Sequence, residues 1–453
     1  MYNILIIGDI MIDHYTYVSI NKIANESPIP VFNYSSEKYI LGGCGNVFQN
    51  MKLFNNNLFM LSVIGNDNNA NIIKNIINDN NNVFLINDPS RKTSIKNRII
   101  ADNKILFRYD DESTFFINES IENMMINKFD ELSMNNTIDI VVFSDYNKGV
   151  LTEKLCKYII DTCNKNNIVT IVDPKNNFLK YKNVTCIKPN YLESSIYSKL
   201  SDINEIHKFI YSTINCKFSI VTLGKDGISL FDGNKLFITS YESNEVIDVT
   251  GAGDIITSVV SSLFKTLDIE SILKLATFLG TTSVKKIGTY ELSHSDIISA
   301  YGSIKNKCFT DDIIYHLKKS NKKIVFTNGC FDILHIGHIK YLDEAKKLGD
   351  ILIIGINTDE SIKRNKGDSR PINSLNNRIE FLSKFDFVDF IIPFDTDTPL
   401  DLIKKIKPDF LVKGGDYTPD SIIGKEFAKN TLCLSFTPDI SSSKIIKLLS
   451  NNN

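Results

Sequence analysis

The sequence predicts an α/β chain built as two successive units, each a mostly parallel sheet covered by helices. Three features predict it. Short apolar runs alternate with helical patterns from about residue 138, polar and glycine residues collect where those runs end, and the rhythm restarts at Lys323 after a charged stretch. The 453 residues are 43% hydrophobic and 23% charged, ordinary values for a globular chain with ample core. A net charge of −2 argues against a nucleic-acid binder held by general electrostatics. The eight cysteines are scattered with no C-x-x-C pair, so reduced thiols are expected, not a disulfide framework or a metal cluster. The first residues carry no basic lead and turn polar after a strand's length, unlike a signal peptide. No apolar run reaches transmembrane length. A cytoplasmic protein without a membrane partner is the expectation.

The first strand, residues 4–7, ends at Gly8-Asp9, with Asp13 close behind. Ligands of open α/β sheets gather beyond the carboxyl ends of strands, and carboxylates there suit polyol hydroxyls. Turn and cap aspartates have the same appearance. Gly42-Gly43-Cys44-Gly45-Asn46 then leads into a helix expected to begin near Val47. Glycines permit close backbone approach, and Asn46 both donates and accepts. Residues 93–108 read as a hairpin around Asp102-Asn103, with Lys96 and Arg98 on one strand face and Arg108 in reach of them. Such a cluster is a solvated face unless the hairpin closes over a site, where it becomes a phosphate clamp.

Strands follow at 138–143, 168–172, 185–188 and 218–222. Their ends carry Ser144-Asp145-Tyr146, Asp173-Pro174-Lys175, Asn190 with Glu193, and Thr222-Leu223-Gly224. That is more polarity than packing requires, and it points to one cleft. Asp248-Val249-Thr250-Gly251-Ala252-Gly253-Asp254 closes the series and opens a helical pattern through Ile255, Val259, Val260 and Leu263. Free N–H groups at a helix start favour anions, so a carboxylate there should repel a phosphate. Asp254 makes sense as a base that takes a proton from an attacking hydroxyl, although a plain helix cap also suits it. No G-x-x-x-x-G-K-[ST] sequence is present, so a P-loop is not the phosphate holder.

The organisation changes between about 300 and 322. The expected domains are 1–305 and 322–453, with 306–321 connecting them, and residues 311–323 read as a polar helix. The second unit opens with Thr327-Asn328-Gly329-Cys330-Phe331-Asp332, followed by His335 and His338 at a helix start. At that spacing both imidazoles share a face and can donate to phosphate oxygens. A zinc pair is the less favoured reading, since the usual helical pair is i, i+4 with a Glu. Lys363, Arg364, Lys366 and Arg370 follow in a basic loop, then Lys413-Gly414-Gly415-Asp416 after another strand. Ser441-Ser442-Ser443 stands at the start of the last helix.

These motifs match known families. Gly42-Gly43 with Asn46, Asn190-x-x-Glu193, Thr222-x-Gly224-x-x-Gly227 and Asp248 to Asp254 resemble ribokinase-type sugar kinases. Gly329 to His338 resembles the core of small nucleotidyltransferases. Both sets in this order resemble the bifunctional heptose 7-phosphate kinase/heptose 1-phosphate adenylyltransferase family, and Ser144-Asp145-Tyr146-x-Lys148-Gly149 and Lys363-Arg364-x-Lys366-Gly367 strengthen the match. The resemblance implies a ribokinase-like parallel sheet with helices on both faces and a small β lid, followed by a smaller Rossmann-like nucleotidyltransferase domain. It implies that Asp254 is the kinase base, with Gly251 and Gly253 holding developing charge. Asp9, Asp13, Gly42, Gly43 and Asn46 would bind sugar hydroxyls, and Lys96, Arg98 and Arg108 its 7-phosphate. Asn190, Glu193, Thr222, Gly224 and Gly227 would lie along ATP, with Mg2+ bridging the phosphates near Glu193. In the transferase half, His335, His338 and Lys366 would hold the transition state, and Thr327, Gly329, Phe331, Asp332, Lys413, Ser442 and Ser443 would bind the second ATP.

The implied partners are ATP, heptose 7-phosphate and heptose 1-phosphate, with no nucleic acid or membrane, and a homodimer through the lid. The implied product is ADP-heptose, a precursor of the lipopolysaccharide inner core. Thr277 stands where the family usually has Asn, Asp102 replaces a usual Arg, and Ser442-Ser443 stands for a Ser-Thr or Thr-Thr pair. The motifs define the reaction types more tightly than the sugar or the base. A fused pair with a cytidylyl- or glycerol-phosphate-type transferase, or a degenerate nucleotide-binding sensor, therefore stands beside this reading.

Overall fold

The computed structural model describes residues 1–78, 80–135, 138–240, 246–303, 312–414, 418 and 421–434. The chain divides into two compact units, Met1–Ser293 and His294–Asn453. In the first, short strands rich in Ile, Leu, Val and Phe are apolar on both faces, the composition of a sheet that helices cover on each side. Among the described residues that sheet has nine strands: β1 (Asn3–Gly8), β4 (Asn57–Ile64), β5 (Val83–Asn87), β8 (Ile140–Ser144), β9 (Val169–Asp173), β10 (Cys186–Ile187), β11 (Phe218–Thr222), β12 (Ile228–Phe231) and β13 (Leu236–Thr239). The order is β13-β12-β11-β10-β9-β8-β1-β4-β5, parallel from β11 through β5 and antiparallel at the β11–β12–β13 edge. Buried Leu5, Ile7, Leu61, Val141, Phe143, Val172 and Val221 join one core cluster on this sheet.

A second, four-stranded sheet in the order β3-β2-β6-β7 rises from the carboxyl end of β1. Its strands are β2 (Ile10–Ile23), β3 (Pro30–Gly43), β6 (Ile95–Ala101) and β7 (Lys104–Asp111). The long β2–β3 ribbon pairs from Ile10↔Gly43 out to Ile23↔Pro30, buried at its base and exposed at its tip. The β6–β7 hairpin expected around Asp102-Asn103 is present. Both turn residues have positive φ, 48° and 59°, the conformation that matches strand twist in a tight hairpin. The β2–β3 ribbon is not legible in the sequence, because its exposed half breaks alternation with polar runs at Asn21-Lys22 and Ser35-Ser36-Glu37-Lys38.

β3 runs through Gly43, so the next helix begins at Cys44 and not near Val47, and Gly45 lies inside its first turn. The helix after the Asp248–Asp254 stretch spans Ala252–Leu263. The second unit holds a five-stranded parallel sheet among its described residues, in the order β16-β15-β14-β17-β18. Its strands are β14 (Ile324–Gly329), β15 (Ile351–Asn357), β16 (Phe390–Phe394), β17 (Phe410–Gly414) and β18 (Asn430–Leu434). Val325, Leu352, Ile354, Leu382, Ile391 and Val412 form its core.

Candidate active sites

The carboxyl ends of β1 and β8, the base of the β2–β3 ribbon and the start of helix Ala252–Leu263 enclose a cleft of about 320 Å3. Its walls bring together Asp13, Gly43, Lys96, Arg98, Arg108, Gly251 and Asp254, with Tyr146, Lys148, Lys175, Thr250 and Thr289 added. Asp254 sits on the first turn of its helix, capped by Gly251 in the left-handed region at φ 78°. Its two carboxylate oxygens are held separately. Tyr146 donates its hydroxyl to Oδ1 at 2.5 Å, and Asn46 donates Nδ2 to Oδ2 at 2.7 Å. Burial raises the Asp254 carboxyl to about 7, and the two donors oppose that rise.

Asp9, Gly42 and Asn46 stand behind the cleft wall. The Asp9 carboxylate accepts the backbone N–H groups of Tyr146, Lys148 and Val150 at 2.8, 3.1 and 3.2 Å, and so shapes the loop after β8. Burial, then Asp145, raises the pKa of Asp9. Gly42 backs directly onto Asp13 Oδ2. Arg98 is buried and donates to Asp13 Oδ1 at 2.6 Å, while its guanidinium lies over the Tyr15 ring. Thr289 donates to Asp13 Oδ2 at 2.8 Å, so both oxygens of that carboxylate have a donor. Lys96 reaches Asp110 at 3.0 Å and Glu112 at 3.5 Å, and Arg108 grips Asp110 with two nitrogens. Lys148 shares Glu112 at 2.5 Å.

The residues expected along ATP lie at the ends of β10 and β11. Asn190 bridges Thr222 in parallel and caps helix Tyr191–Ser198 in a reciprocal capping box with Glu193. The other Glu193 oxygen meets Lys175 Nζ at 2.5 Å. Gly224 opens a 3-10 turn, and Gly227 follows it before β12. Thr277 spends its hydroxyl on its own helix, donating to the Leu273 carbonyl at 2.7 Å.

In the second unit a cleft of about 340 Å3 opens at the carboxyl ends of β14 and β17. Gly329, Phe331, Asp332, His338, Lys366 and Lys413 line it together with Asn328, Cys330, Tyr341, Asn357 and Arg370. His335 caps helix Ile336–Lys346, and its ring lies 3.9 Å from that of His338. Burial, followed by His335 and Lys366, lowers His338 to about 4, so it is neutral at pH 7. A buried His338 Nδ1 has no hydrogen-bond partner among the described residues. Lys413 donates to the Asn328 carbonyl at 3.1 Å, and burial lowers its ammonium to about 8. Asp332 accepts the N–H groups of Ile372 and Asn373 and pairs with Arg370 at 2.8 Å. The Thr327 hydroxyl meets the Tyr341 hydroxyl at 2.5 Å, below the cleft floor. Ser442 and Ser443 lie outside the described residues.

Some of the best-placed residues were not assigned from the sequence. Tyr146 and Lys148 stood in a strand-end motif, which was their signal. Arg378 had none. It is buried and ties the Cys330 carbonyl, Asp359 and the Asn373 carbonyl together at 2.6, 2.7 and 3.0 Å.

Residues 1–296 match the model of the pfkB family of carbohydrate kinases, and residues 326–448 match the cytidylyltransferase-like model. The bifunctional protein HldE of Campylobacter jejuni subsp. jejuni is 41% identical over 456 residues, covering 98% of this chain and 96% of its own. The chain belongs to the bifunctional HldE family. The HldE proteins of Campylobacter curvus and Sulfurimonas denitrificans are 38% and 39% identical, again across 98% of this chain. Among solved structures, Escherichia coli phosphofructokinase-2 in complex with potassium aligns with a TM-score of 0.55 at 18% identity, covering 66% of this chain and 98% of that one. Arabidopsis thaliana ribokinase complexed with ribose and ATP aligns at 0.51 and 15% identity, covering 66% and 99%. Both likenesses bear on the fold. The chain joins a ribokinase-like carbohydrate kinase to a Rossmann-like nucleotidyltransferase, families that use ATP, typically with a divalent metal.

Proposed function

We infer that this chain carries out two reactions of ADP-heptose biosynthesis for the lipopolysaccharide core. The first unit transfers a phosphoryl group from ATP to C1 of heptose 7-phosphate, giving the 1,7-bisphosphate. The second transfers an adenylyl group from ATP to heptose 1-phosphate, giving ADP-heptose and pyrophosphate. The observation that carries the kinase half is Asp254, a buried carboxylate with a raised pKa in the first turn of a helix, facing a cleft rich in cations.

Asp254 takes the proton from the anomeric hydroxyl as that oxygen bonds to the transferred phosphorus. The N–H groups around Gly251 and Gly253 stabilise the charge that develops there. Asp13, fixed by Arg98 and Thr289, orients sugar hydroxyls, while Asp9 and Asn46 hold the loop and the base that shape the pocket. Lys96 and Arg108, and Lys148 beside them, suit the 7-phosphate, which would compete for them with Asp110 and Glu112. Arg98 is tied to Asp13 at 2.6 Å, so it fixes the carboxylate that orients the sugar hydroxyls and leaves the phosphate to Lys96, Arg108 and Lys148. Glu193 has one carboxylate oxygen on the Asn190 N–H and the other on Lys175, and it is this second oxygen that a magnesium ion held mostly by phosphates and water would take over from the lysine. Magnesium would neutralise the phosphates.

In the transferase half no protein nucleophile is needed, so positioning and charge neutralisation supply the rate. Neutral His338, with His335, donates to phosphate oxygens, and Lys366 and Lys413 add positive charge. We also propose a cytoplasmic homodimer. No helix among the described residues is long and apolar enough to cross a membrane, and Phe107, Tyr109, Phe32 and Tyr34 expose apolar surface on the four-stranded sheet. Light scattering tests the dimer, with a monomer mass rejecting it. The substrate assignment is tested by offering heptose 7-phosphate and, separately, fructose 6-phosphate with ATP. Turnover of the heptose at least tenfold above that of the hexose supports it, and the reverse preference rejects it.

A further inference from the structure

The reaction outlined above uses Asp254 and leaves the Tyr146 hydroxyl without a task, although it makes the shortest contact to that carboxylate. Two sides of the cleft hold the base. On one side a chain of amides has a single workable direction. The Leu292 N–H donates to Asn50 Oδ1 at 2.9 Å, Asn50 Nδ2 then donates to Asn46 Oδ1 at 2.9 Å, and Asn46 Nδ2 is left to face Asp254. On the other side, Asp9 anchors the Tyr146 backbone N–H, and the half-buried phenol reaches Asp254 Oδ1. Among the described residues each carboxylate oxygen therefore has one side-chain donor and keeps acceptor capacity for substrate.

We propose that Tyr146 is a positioning residue for sugar phosphorylation, its hydroxyl keeping Asp254 ionised and turned toward the sugar hydroxyl. This rests on the reading of Asp254 as the base. In the step itself the sugar O–H bond breaks and its proton passes to Asp254, while the sugar oxygen bonds to phosphorus and ADP leaves with the electron pair of the broken P–O bond. Tyr146 keeps its own proton throughout. Burial drives its phenol well above the usual value, so it acts as a donor. The other charged and titratable groups facing this pair are Asp173 and Lys188 from the ends of β9 and β10, Asp13 from β2, and Cys44 from helix Cys44–Met51. Lys148 and Lys175 line the same cleft. All of them are unchanged by removing one hydroxyl.

The test is the pH profile of kcat/KM for sugar phosphorylation in Tyr146→Phe, with thermal unfolding as the check on folding. The acidic limb should move up by about one pH unit, and the rate should recover to within roughly tenfold of the parent above it. Installing 3-fluorotyrosine at position 146, a stronger donor of nearly the same shape, should move the limb down. A limb that stays in place in both proteins overturns the proposal, including when Tyr146→Phe is slower at every pH. Asp254→Asn separates the two ideas. If it still phosphorylates the sugar, the base assignment itself fails. If it is inactive while both Tyr146 replacements leave the limb unmoved, only the role of Tyr146 fails.

Discussion

The catalytic role proposed for Asp254 carries a cost in stability. Its carboxyl is raised by burial to about 7 in the folded chain, against an ordinary value of 3.8. A raised carboxyl favours the fold while protonated, so that stability is present below about pH 4 and is lost as the pH rises through 7. Asn at this position removes the loss, because its amide can accept from Asn46 and donate to the Tyr146 oxygen. Asp254→Asn should therefore be more stable than the parent at pH 8, by on the order of 1–3 kcal/mol in thermal unfolding, while losing sugar phosphorylation. Equal stability at pH 8 and pH 5 relative to the parent would contradict this. Lys413 carries the opposite sign: burial lowers its ammonium to about 8. Adenylyl-transfer kcat/KM should fall above pH 8 as that charge is lost, and Lys413→Met should flatten the alkaline limb. The places of Asp254 and His338 in the first turns of helices were legible from the sequence pattern, whereas the roles proposed for them came from the family resemblance. Arg98 was legible only as a cation on a strand, since periodicity does not say whether a cation meets solvent, phosphate or a carboxylate such as Asp13.

At the scale of elements, the strand ends were readable because parallel strands are continuous apolar runs that stop abruptly at polar residues. The β2–β3 ribbon was harder to read, because it leaves the core halfway along its length and its pattern changes with it. Its junction with helix Cys44–Met51 is tight. Gly43 has φ 60°, and a Cβ there would sit 2.2 Å from the Asp9 carbonyl oxygen. Gly43→Ala must move the ribbon base or Asp9, and should lower sugar phosphorylation at least about tenfold with a loss of about 1–3 kcal/mol. Kinetics and thermal unfolding read both effects. In the second unit Arg378 joins the loop after β14 to helix Asp359–Lys366 and the loop at Asn373. Arg378→Met removes the Arg378 donor from two carbonyls and from Asp359 Oδ1, so adenylyl transfer should fall at least about a hundredfold while sugar phosphorylation persists. Nothing in the sequence marks this arginine, because two of its three partners, Asp359 and Cys330, lie 19 and 48 residues away.

At the scale of the whole molecule, two compact units each carry a cleft at the carboxyl ends of parallel strands, the general ligand position of open α/β sheets. The order of the two motif sets, more than any one motif, made the pairing of a sugar kinase with a nucleotidyltransferase legible. The central claim is that Asp254 and His338 serve separate reactions. The most direct measurement is mass analysis of products from each substrate in Asp254→Asn and His338→Ala. Asp254→Asn should form no 1,7-bisphosphate from heptose 7-phosphate and still make ADP-heptose from heptose 1-phosphate. His338→Ala should form the bisphosphate normally and lose ADP-heptose synthesis. Both variants retaining both products, or either variant losing both while folded, would contradict the account.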